Sequence, residues 1–255
     1  MPDQPRPDFR AALSNRTMQM TLGGFAFVAA AAGAALAMQA PAAVAPADKA
    51  AIEKIVHDYI LEHPEIIPQA VEKLQAKRMS GTIDANRSAL ETPYAGAWEG
   101  AASADVTVVE FFDYACGYCR ASLPDLARLV QGDAKVKVVY RELPILSNES
   151  GDAAKVSLLA AERGQYMPYH KALYAAGRVT RDTILAAAAK AGITKSEAEA
   201  AIASSKYDAE IQSNIALAQK LQATGTPTFV IGGQVLSGAV GYDALKEGVA
   251  TARGK

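Results

Sequence analysis

The chain has 255 residues, of which 50% are hydrophobic and 21% are charged, and its formal net charge at pH 7 is −1. This near-neutral balance gives no electrostatic indication of a nucleic-acid-binding protein. Cys116 and Cys119 are the only two cysteines, so a small scaffold held together by several disulfides is excluded.

Residues 1–47 are predicted to be an export leader with an Ala/Pro linker. Three arginines precede an uncharged stretch from Thr21 to Ala47, and a basic region followed by an apolar one is typical of a secretory signal. Cleavage is expected after Ala37, with Ala45 or Ala47 as alternatives. An uncleaved inner-membrane anchor stays open, because about 18 apolar residues can just span a bilayer. Both cases predict a folded part outside the cytoplasm, in the periplasm.

Residues 48–80 are predicted to form a short N-terminal helical module. Apolar residues recur at spacings of three and four on either side of His63-Pro64, and a proline disfavours helix in the residue before it. The pattern therefore predicts two amphipathic helices, which bury their apolar stripe either on the main domain or by self-association. Residues 79–103, with several glycines and Pro93, are expected to be a loose connector.

The main domain is predicted over residues 103–253. Val106–Phe112 and Val136–Glu142 are apolar runs typical of buried strands, and a helix is expected between them from Gly117 to Val130. A strand–helix–strand order implies parallel pairing through a right-handed crossover.

A helical insertion is expected next, at about residues 147–224. Thr228–Ile231 and Val235–Leu236 flank glycines that indicate an antiparallel hairpin, and a last helix is expected over 242–252. The predicted fold class is therefore α/β with an inserted helical domain.

The cysteine pair lies where a strand turns into a helix. A thiol there meets unpaired backbone N–H groups and the positive end of the helix dipole, which favour the thiolate form of Cys116. Cys119 is one turn further along and close enough for a redox-active disulfide. We therefore expect Cys116 to be an exposed nucleophile that forms a mixed disulfide with a client, and Cys119 to be a shielded resolving thiol.

The sequence gives less support to other functions of the cysteine pair. Structural zinc needs four ligands, and none of His57, His63 and His170 lies at ligand spacing from the cysteines, so no metal or other cofactor is expected. Copper(I) can bind two thiolates alone, which makes a copper(I) delivery protein the alternative function. An inert structural disulfide closes almost no loop at this spacing and stabilises little.

Two further features accompany the cysteines. Glu110 interrupts an apolar strand, which indicates either a buried proton acceptor with a raised pKa or an edge strand with the carboxylate in water. Pro227, just before a strand, is either an ordinary turn proline or a cis-proline that aims the backbone of Thr226 at an extended client.

The segment Val109–Cys119, VEFFDYACGYC, resembles the active-site segment of the DsbA family of periplasmic disulfide proteins, and Thr224–Val230, TGTPTFV, resembles that family's cis-proline segment. The resemblance implies a thioredoxin fold with a helical insertion, a catalytic Glu110, and a cis bond before Pro227. It also implies that the chain oxidises or isomerises the disulfides of exported proteins, with a membrane redox partner that recharges the pair.

The chain departs from the family's oxidases in its dipeptide and before the proline. Gly117-Tyr118 and Thr226 are similar to the disulfide isomerase DsbC, and we expect these residues together with Pro227 to contact the client. Tyr118 adds no positive charge to stabilise the thiolate, so a less oxidising pair is expected. The module at 48–78 resembles the oligomerising stalk of ScsC-type relatives, which implies a homo-oligomer.

Overall fold

The computed structural model describes residues 46–254, so the predicted leader and its cleavage sites at residues 1–45 lie outside the described residues. The chain divides into two units after Ile55, and the first is described only over the opening turns of α1. The sheet of the second unit, within the described residues, has the strand order β1-β3-β2-β4-β5. Its strands are β1 Trp98–Gly100, β2 Val106–Phe112, β3 Val136–Glu142, β4 Thr228–Ile231 and β5 Gln234–Ser237.

The two N-terminal helices are α1 Pro46–Glu62 and α2 Ile66–Glu91. The predicted break at His63-Pro64 is confirmed, but the predicted connector at 79–103 is wrong. Helix α2 continues to Glu91 because Ile83 and Leu90, two turns apart, are buried against the main domain. This burial outweighs the roughly 1 kcal/mol that a glycine such as Gly81 costs inside a helix.

Strand β1 was also missed within the predicted connector. It is three residues long and pairs antiparallel with β3 at the sheet edge, with Trp98 opposite Val139. A strand this short carries too few residues for an alternating pattern, so it depends on its partner strand rather than on its own sequence.

The central unit of the fold is β2, α3 Gly117–Gly132 and β3. The predicted parallel pairing of β2 with β3 is confirmed, with Val106 opposite Val136 and Glu110 opposite Tyr140. Strand β4 pairs antiparallel with the other edge of β2, which makes β2 the middle strand of the sheet.

The helical insertion lies between β3 and β4, as predicted. Its helices are α4 Asn148–Glu162, α5 Tyr166–Ala176, α6 Arg181–Lys190, α7 Lys195–Ala203 and α8 Asp208–Lys220. The predicted β4–β5 hairpin is confirmed, and the chain continues into α9 Gly241–Arg253. Together these elements confirm the predicted α/β fold class.

Side chains of β2 alternate between two separate hydrophobic clusters, one on each face of the sheet. Val108 and Phe112 belong to the cluster that includes Cys119 and helices α3 and α9, whereas Val109 and Phe111 belong to the cluster with α2 and α8. Because successive side chains of a strand point to opposite faces, Glu110 lies on the same face as Val108 and Phe112. The alternation therefore places the carboxyl group beneath the cysteine pair.

Candidate active site

Cys116 lies at the N-cap position of α3, directly after the turn that follows β2. Its backbone is extended, with φ −79° and ψ 115°, and its Sγ accepts a hydrogen bond from the backbone N–H of Cys119 at 3.3 Å. That N–H is one of the helix-start donors without a partner inside the helix. The sulfur therefore takes the place that a capping oxygen usually occupies, where negative charge is stabilised.

The two cysteines differ in accessibility. Cys119 is fully buried, and Cys116 keeps 6% of its surface exposed. The expectation of a shielded Cys119 is confirmed, but the expectation of an exposed Cys116 is wrong, because the segment before β4 lies over its sulfur. Both cysteines are free thiols in this structure, which is the reduced form of the predicted pair.

The segment over Cys116 contains the Thr226–Pro227 peptide bond, which is cis. The thiol of Cys116 donates to the backbone oxygen of Thr226 at 3.2 Å. The alternative of an ordinary turn proline is therefore wrong, and the prediction of a cis-proline is confirmed. Thr226 is partly exposed, and its backbone oxygen is the contact of this segment with the Cys116 sulfur.

The dipeptide between the cysteines is exposed at the start of α3. Gly117 is open to solvent, and Tyr118 has 71% of its surface exposed. An aromatic side chain this exposed beside a reactive sulfur offers apolar contact area to an approaching polypeptide. The structure thus brings Gly117, Tyr118, Thr226 and Pro227 together around Cys116.

Glu110 is 1% exposed, and neither oxygen of its carboxyl group has a hydrogen-bond partner within residues 46–254. Since β2 is the middle strand, the alternative of an edge strand with Glu110 in water is wrong. Burial raises the pKa of Glu110 well above its ordinary value, and the nearby Glu99 and Cys116 raise it further. Burial also raises the pKa of Cys119, and the carboxyl group of Glu110 raises it further.

Asp113 is a buried residue of the site that the sequence reasoning missed. Its carboxylate accepts hydrogen bonds from the backbone N–H of Ala115, from the Ser150 hydroxyl, and from the backbone N–H groups of Ile145 and Leu146, all at 2.6–2.9 Å. These bonds tie the turn before Cys116 to the loop before α4. An aspartate directly after a strand favours such a turn, because its side chain accepts a hydrogen bond from the backbone N–H two residues later.

An aromatic cluster lies behind the cysteine turn, between the sheet and α5. Its members are Phe112, Tyr114, Tyr140, Tyr166, Tyr169, His170 and Tyr174. His170 is fully buried, with Nδ1 3.1 Å from the hydroxyl of Tyr114, and its Nε2 has no partner among the described residues. Burial lowers the pKa of His170 to about 3, so the ring is neutral at physiological pH.

Two protein families match the chain. The DSBA-like thioredoxin domain matches residues 107–250, and the N-terminal domain of the copper resistance protein ScsC matches residues 48–79. Together they cover the strand–cysteine–helix unit, the helical insertion, and the N-terminal helices.

Solved structures show the same fold. A thioredoxin-like oxidoreductase from Silicibacter pomeroyi is 37% identical with a TM-score of 0.63, covering 67% of this chain and 99% of that one. Proteus mirabilis ScsC in a transitional conformation is 27% identical with a TM-score of 0.62, covering 83% and 97%. A periplasmic thioredoxin-like protein from Salmonella enterica serovar Typhimurium is 29% identical with a TM-score of 0.57, covering 66% and 96%. The predicted thioredoxin-like fold is thereby confirmed.

Curated relatives match a smaller share of their own length. Na(+)/H(+) antiporter NhaA 3 of Salinispora tropica is 28% identical over 156 residues, which are 60% of this chain and 24% of the antiporter. The chain thus spans about a quarter of the length of the curated relatives that it matches. No helix within residues 46–254 combines the length and the hydropathy that a membrane crossing requires.

Proposed function

Because the chain belongs to the DSBA-like thioredoxin family, we propose that it is a thiol–disulfide oxidoreductase that acts on exported proteins through Cys116 and Cys119. The observation that carries the proposal is the position of the Cys116 sulfur. It caps a helix, it accepts the N–H of Cys119, and it lies beside the backbone of Thr226 at the cis-proline. Cys119 is wholly buried behind it, next to the Cys116 sulfur that it would attack in a mixed disulfide.

The proposed cycle begins when the Cys116 thiolate attacks one sulfur of a client disulfide. A Cys116–client disulfide forms, and the second client sulfur leaves as a thiolate. Cys119 then attacks the Cys116 sulfur, which releases the client thiol and leaves a Cys116–Cys119 disulfide. Run in reverse, the same steps oxidise a client dithiol.

Glu110 acts in this cycle as the proton acceptor for Cys119. Burial raises the pKa of both groups, because each would place a lone negative charge in apolar surroundings. Moving the proton from Cys119 to an ionised Glu110 keeps the total charge of the buried pair constant. This transfer therefore avoids a second buried charge at the moment when Cys119 must become a nucleophile.

The direction of the reaction follows from the reduction potential and from the partner that recharges the pair. The Gly117-Tyr118 dipeptide carries no positive charge, which supports a less oxidising pair and an isomerase kept reduced by a membrane redox partner. We test the reaction with a client of scrambled disulfides and the reduced protein, and with a reduced client and the oxidised protein. Faster recovery of native disulfides in the first assay supports an isomerase, and faster disulfide formation in the second supports an oxidase. Failure of both assays refutes the enzyme proposal.

The first half of α2 supports the proposal of a homo-oligomer through residues 48–78. Ile67, Val71 and Leu74 lie on one face of the helix, and each has 46–52% of its surface exposed. An apolar stripe of this kind marks a protein–protein contact. Light scattering on the mature protein is expected to give more than a monomer, and the Val71→Asp, Leu74→Asp double variant to give a monomer. A wild-type protein that stays monomeric at high concentration contradicts the stalk and favours the oxidase.

Copper(I) delivery is the second candidate, because the N-terminal helices match a family described as a copper resistance protein and the two thiols are free. The complete burial of Cys119 opposes it, since copper(I) needs both sulfurs as accessible thiolates. A copper(I) competition titration against a chelator separates the candidates. Tight binding to both cysteines without thiol exchange would favour copper delivery.

We place the protein in the periplasm, supported by the predicted leader and by its likeness to a periplasmic thioredoxin-like protein. Cell fractionation followed by N-terminal sequencing of the periplasmic form tests this. A mature chain that begins after Ala37 is expected, and a full-length chain in the membrane fraction would indicate the uncleaved anchor.

A further inference from the structure

A groove of about 780 Å³ lies beside the cysteine pair, and the chemistry described above makes no use of its charged groups. It runs from the cysteine turn to the loop between α5 and α6. The residues lining it that matter here are Ala115, Arg120, Ser147, Glu149, Arg178 and Thr180. Ala115 immediately precedes Cys116, so one end of the groove lies next to the cysteine turn.

The guanidinium of Arg120 is held in place at the end of the groove nearest the sulfur. Arg120 is one helical turn after Cys116, and its backbone N–H donates to the Cys116 carbonyl at 3.2 Å. Its Nη1 donates to the Gly177 carbonyl at 3.0 Å, and its Nη2 lies 4.0 Å from the place that a Cβ on Gly117 would occupy. A single hydrogen bond to a carbonyl leaves the remaining N–H groups of the fork for a ligand.

The groove contains positive charge that the described part of the chain does not neutralise. Neither Arg120 nor Arg178 forms an ion pair within residues 46–254. Among the other arginines of that range, Arg78 and Arg128 also lack an ion pair, and the rest are paired with carboxylates, namely Arg87, Arg141, Arg163, Arg181 and Arg253. Arg120 and Arg178 line the same groove and are therefore available to bind a negatively charged ligand.

Glu149 gives the groove a second charge of opposite sign. It lies in the first turn of α4 and lines the same groove, also without an ion pair among residues 46–254. A ligand carboxylate is therefore attracted to the arginines and repelled from the α4 side. This arrangement gives the bound segment a direction as well as a charge preference.

We propose that this groove is a subsite for an acidic client segment, in which a carboxylate next to the attacked cysteine pairs with Arg120 and Arg178. Arginine forks match carboxylate geometry and bind it with two parallel hydrogen bonds. The inference rests on the proposed oxidoreductase function and adds to it a preference among clients. The arginines bind and orient, while the bonds made and broken stay those of the exchange already described.

The test uses peptide disulfides that differ at one position. Each substrate is a short peptide with one cysteine, joined to a second copy of itself by a disulfide. The residue next to that cysteine is Asp in the first peptide, Asn in the second and Lys in the third. The rate at which the reduced protein cleaves each one is measured by acid quench and mass spectrometry. The expected order is Asp, then Asn, then Lys, with about two- to fivefold between steps at low salt. In 0.5 M NaCl the Asp-to-Lys ratio is expected to fall towards one.

Variants assign the preference to the groove. Arg120→Gln and Arg178→Gln are each expected to lower the Asp-to-Lys ratio by about two- to fivefold, and Glu149→Gln to raise it. Lys190→Gln removes one charge from the end of α6, outside the groove lining, and is the matched control that keeps the wild-type ratio.

The outcomes separate this inference from the proposed function. Equal rates for the three peptides, or a ratio that both arginine variants keep, overturn the subsite while leaving the oxidoreductase in place. No cleavage of any peptide overturns the oxidoreductase itself. Because the readout is a ratio within one protein, a general loss of activity in a variant does not imitate loss of the subsite.

Discussion

Replacing Glu110 by glutamine removes a buried carboxyl group while keeping its shape. In the part of the chain that the structure describes, neither oxygen of the wild-type carboxyl has a hydrogen-bond partner, and burial raises its pKa well above the ordinary 4.5. The folded protein therefore binds a proton at Glu110 at pH values where the unfolded chain has released it. Stability contributed by this group is present below pH 4.5 and is lost as the pH rises towards the folded-state pKa.

The size of the effect follows from a single titrating group. Over the interval between the two pKa values, unfolding free energy falls by up to about 1.4 kcal/mol per pH unit. Between pH 5 and pH 7 this amounts to at most about 3 kcal/mol, and the glutamine variant does not lose it. The stability of Glu110→Gln minus that of the wild type should therefore increase with pH. The buried glutamine amide can shift the unfolding free energy by the same amount at every pH, and such a shift does not change how the difference varies with pH.

The assay is urea unfolding followed by circular dichroism at pH 5, 6, 7 and 8, with both cysteines reduced. The same variant should release a client from its Cys116 mixed disulfide about a hundredfold more slowly, because Cys119 loses its proton acceptor. Glu142→Gln is the matched control: Glu142 is also buried with a raised pKa, but it lies at the end of β3. The Glu142→Gln variant should change the pH dependence of the unfolding free energy and leave the rate of client release unaltered. A stability difference for Glu110→Gln that is flat with pH, together with normal release, refutes the reasoning.

Three further substitutions test the surroundings of the site. Below pH 6.5 the wild type should lose up to about 1.4 kcal/mol of unfolding free energy per pH unit, because the unfolded histidine binds a proton that the buried ring does not. His170→Gln should abolish this loss, and acid titration of the circular dichroism signal checks it. Arg141→Met should cost about 3–5 kcal/mol in urea unfolding, because this buried guanidinium donates to the carbonyls of Ala89, Leu90 and Thr92 at the end of α2 and pairs with Glu210. Asp113→Asn should cost about 3 kcal/mol and slow peptide cleavage, because an amide group replaces an oxygen that accepts two backbone N–H groups; unchanged unfolding midpoints would contradict the last two.

Local patterns predicted the part of the fold that carries the cysteines. The apolar run Val106–Phe112 and the helix start at Gly117 require only neighbouring residues, and both are where the sequence indicated. The same run placed Glu110 on the strand, and the depth of its burial followed from β4 pairing on the far side of β2. The exposure of Cys116 was wrong because residue 226 covers it from 110 positions away in the chain.

What the sequence could not predict depends on distant contacts. Helix α2 runs through Gly81 because the sheet buries Ile83 and Leu90, a packing term that no local propensity contains. Asp113 is fixed by donors at 145, 146 and 150, and an isolated aspartate after a strand does not reveal them. These residues were missed because their role exists only once the loops have come together.

Trapping of the mixed disulfide tests the central claim, that the helix-capping sulfur attacks and the buried sulfur resolves. Cys119→Ser and Cys116→Ser proteins, each reduced, are mixed with an unfolded client that contains one disulfide, quenched with acid, and mapped by mass spectrometry. The account predicts a one-to-one adduct through Cys116 in the first protein and no adduct in the second. An adduct through Cys119 in the Cys116→Ser protein, or none in either, would contradict it.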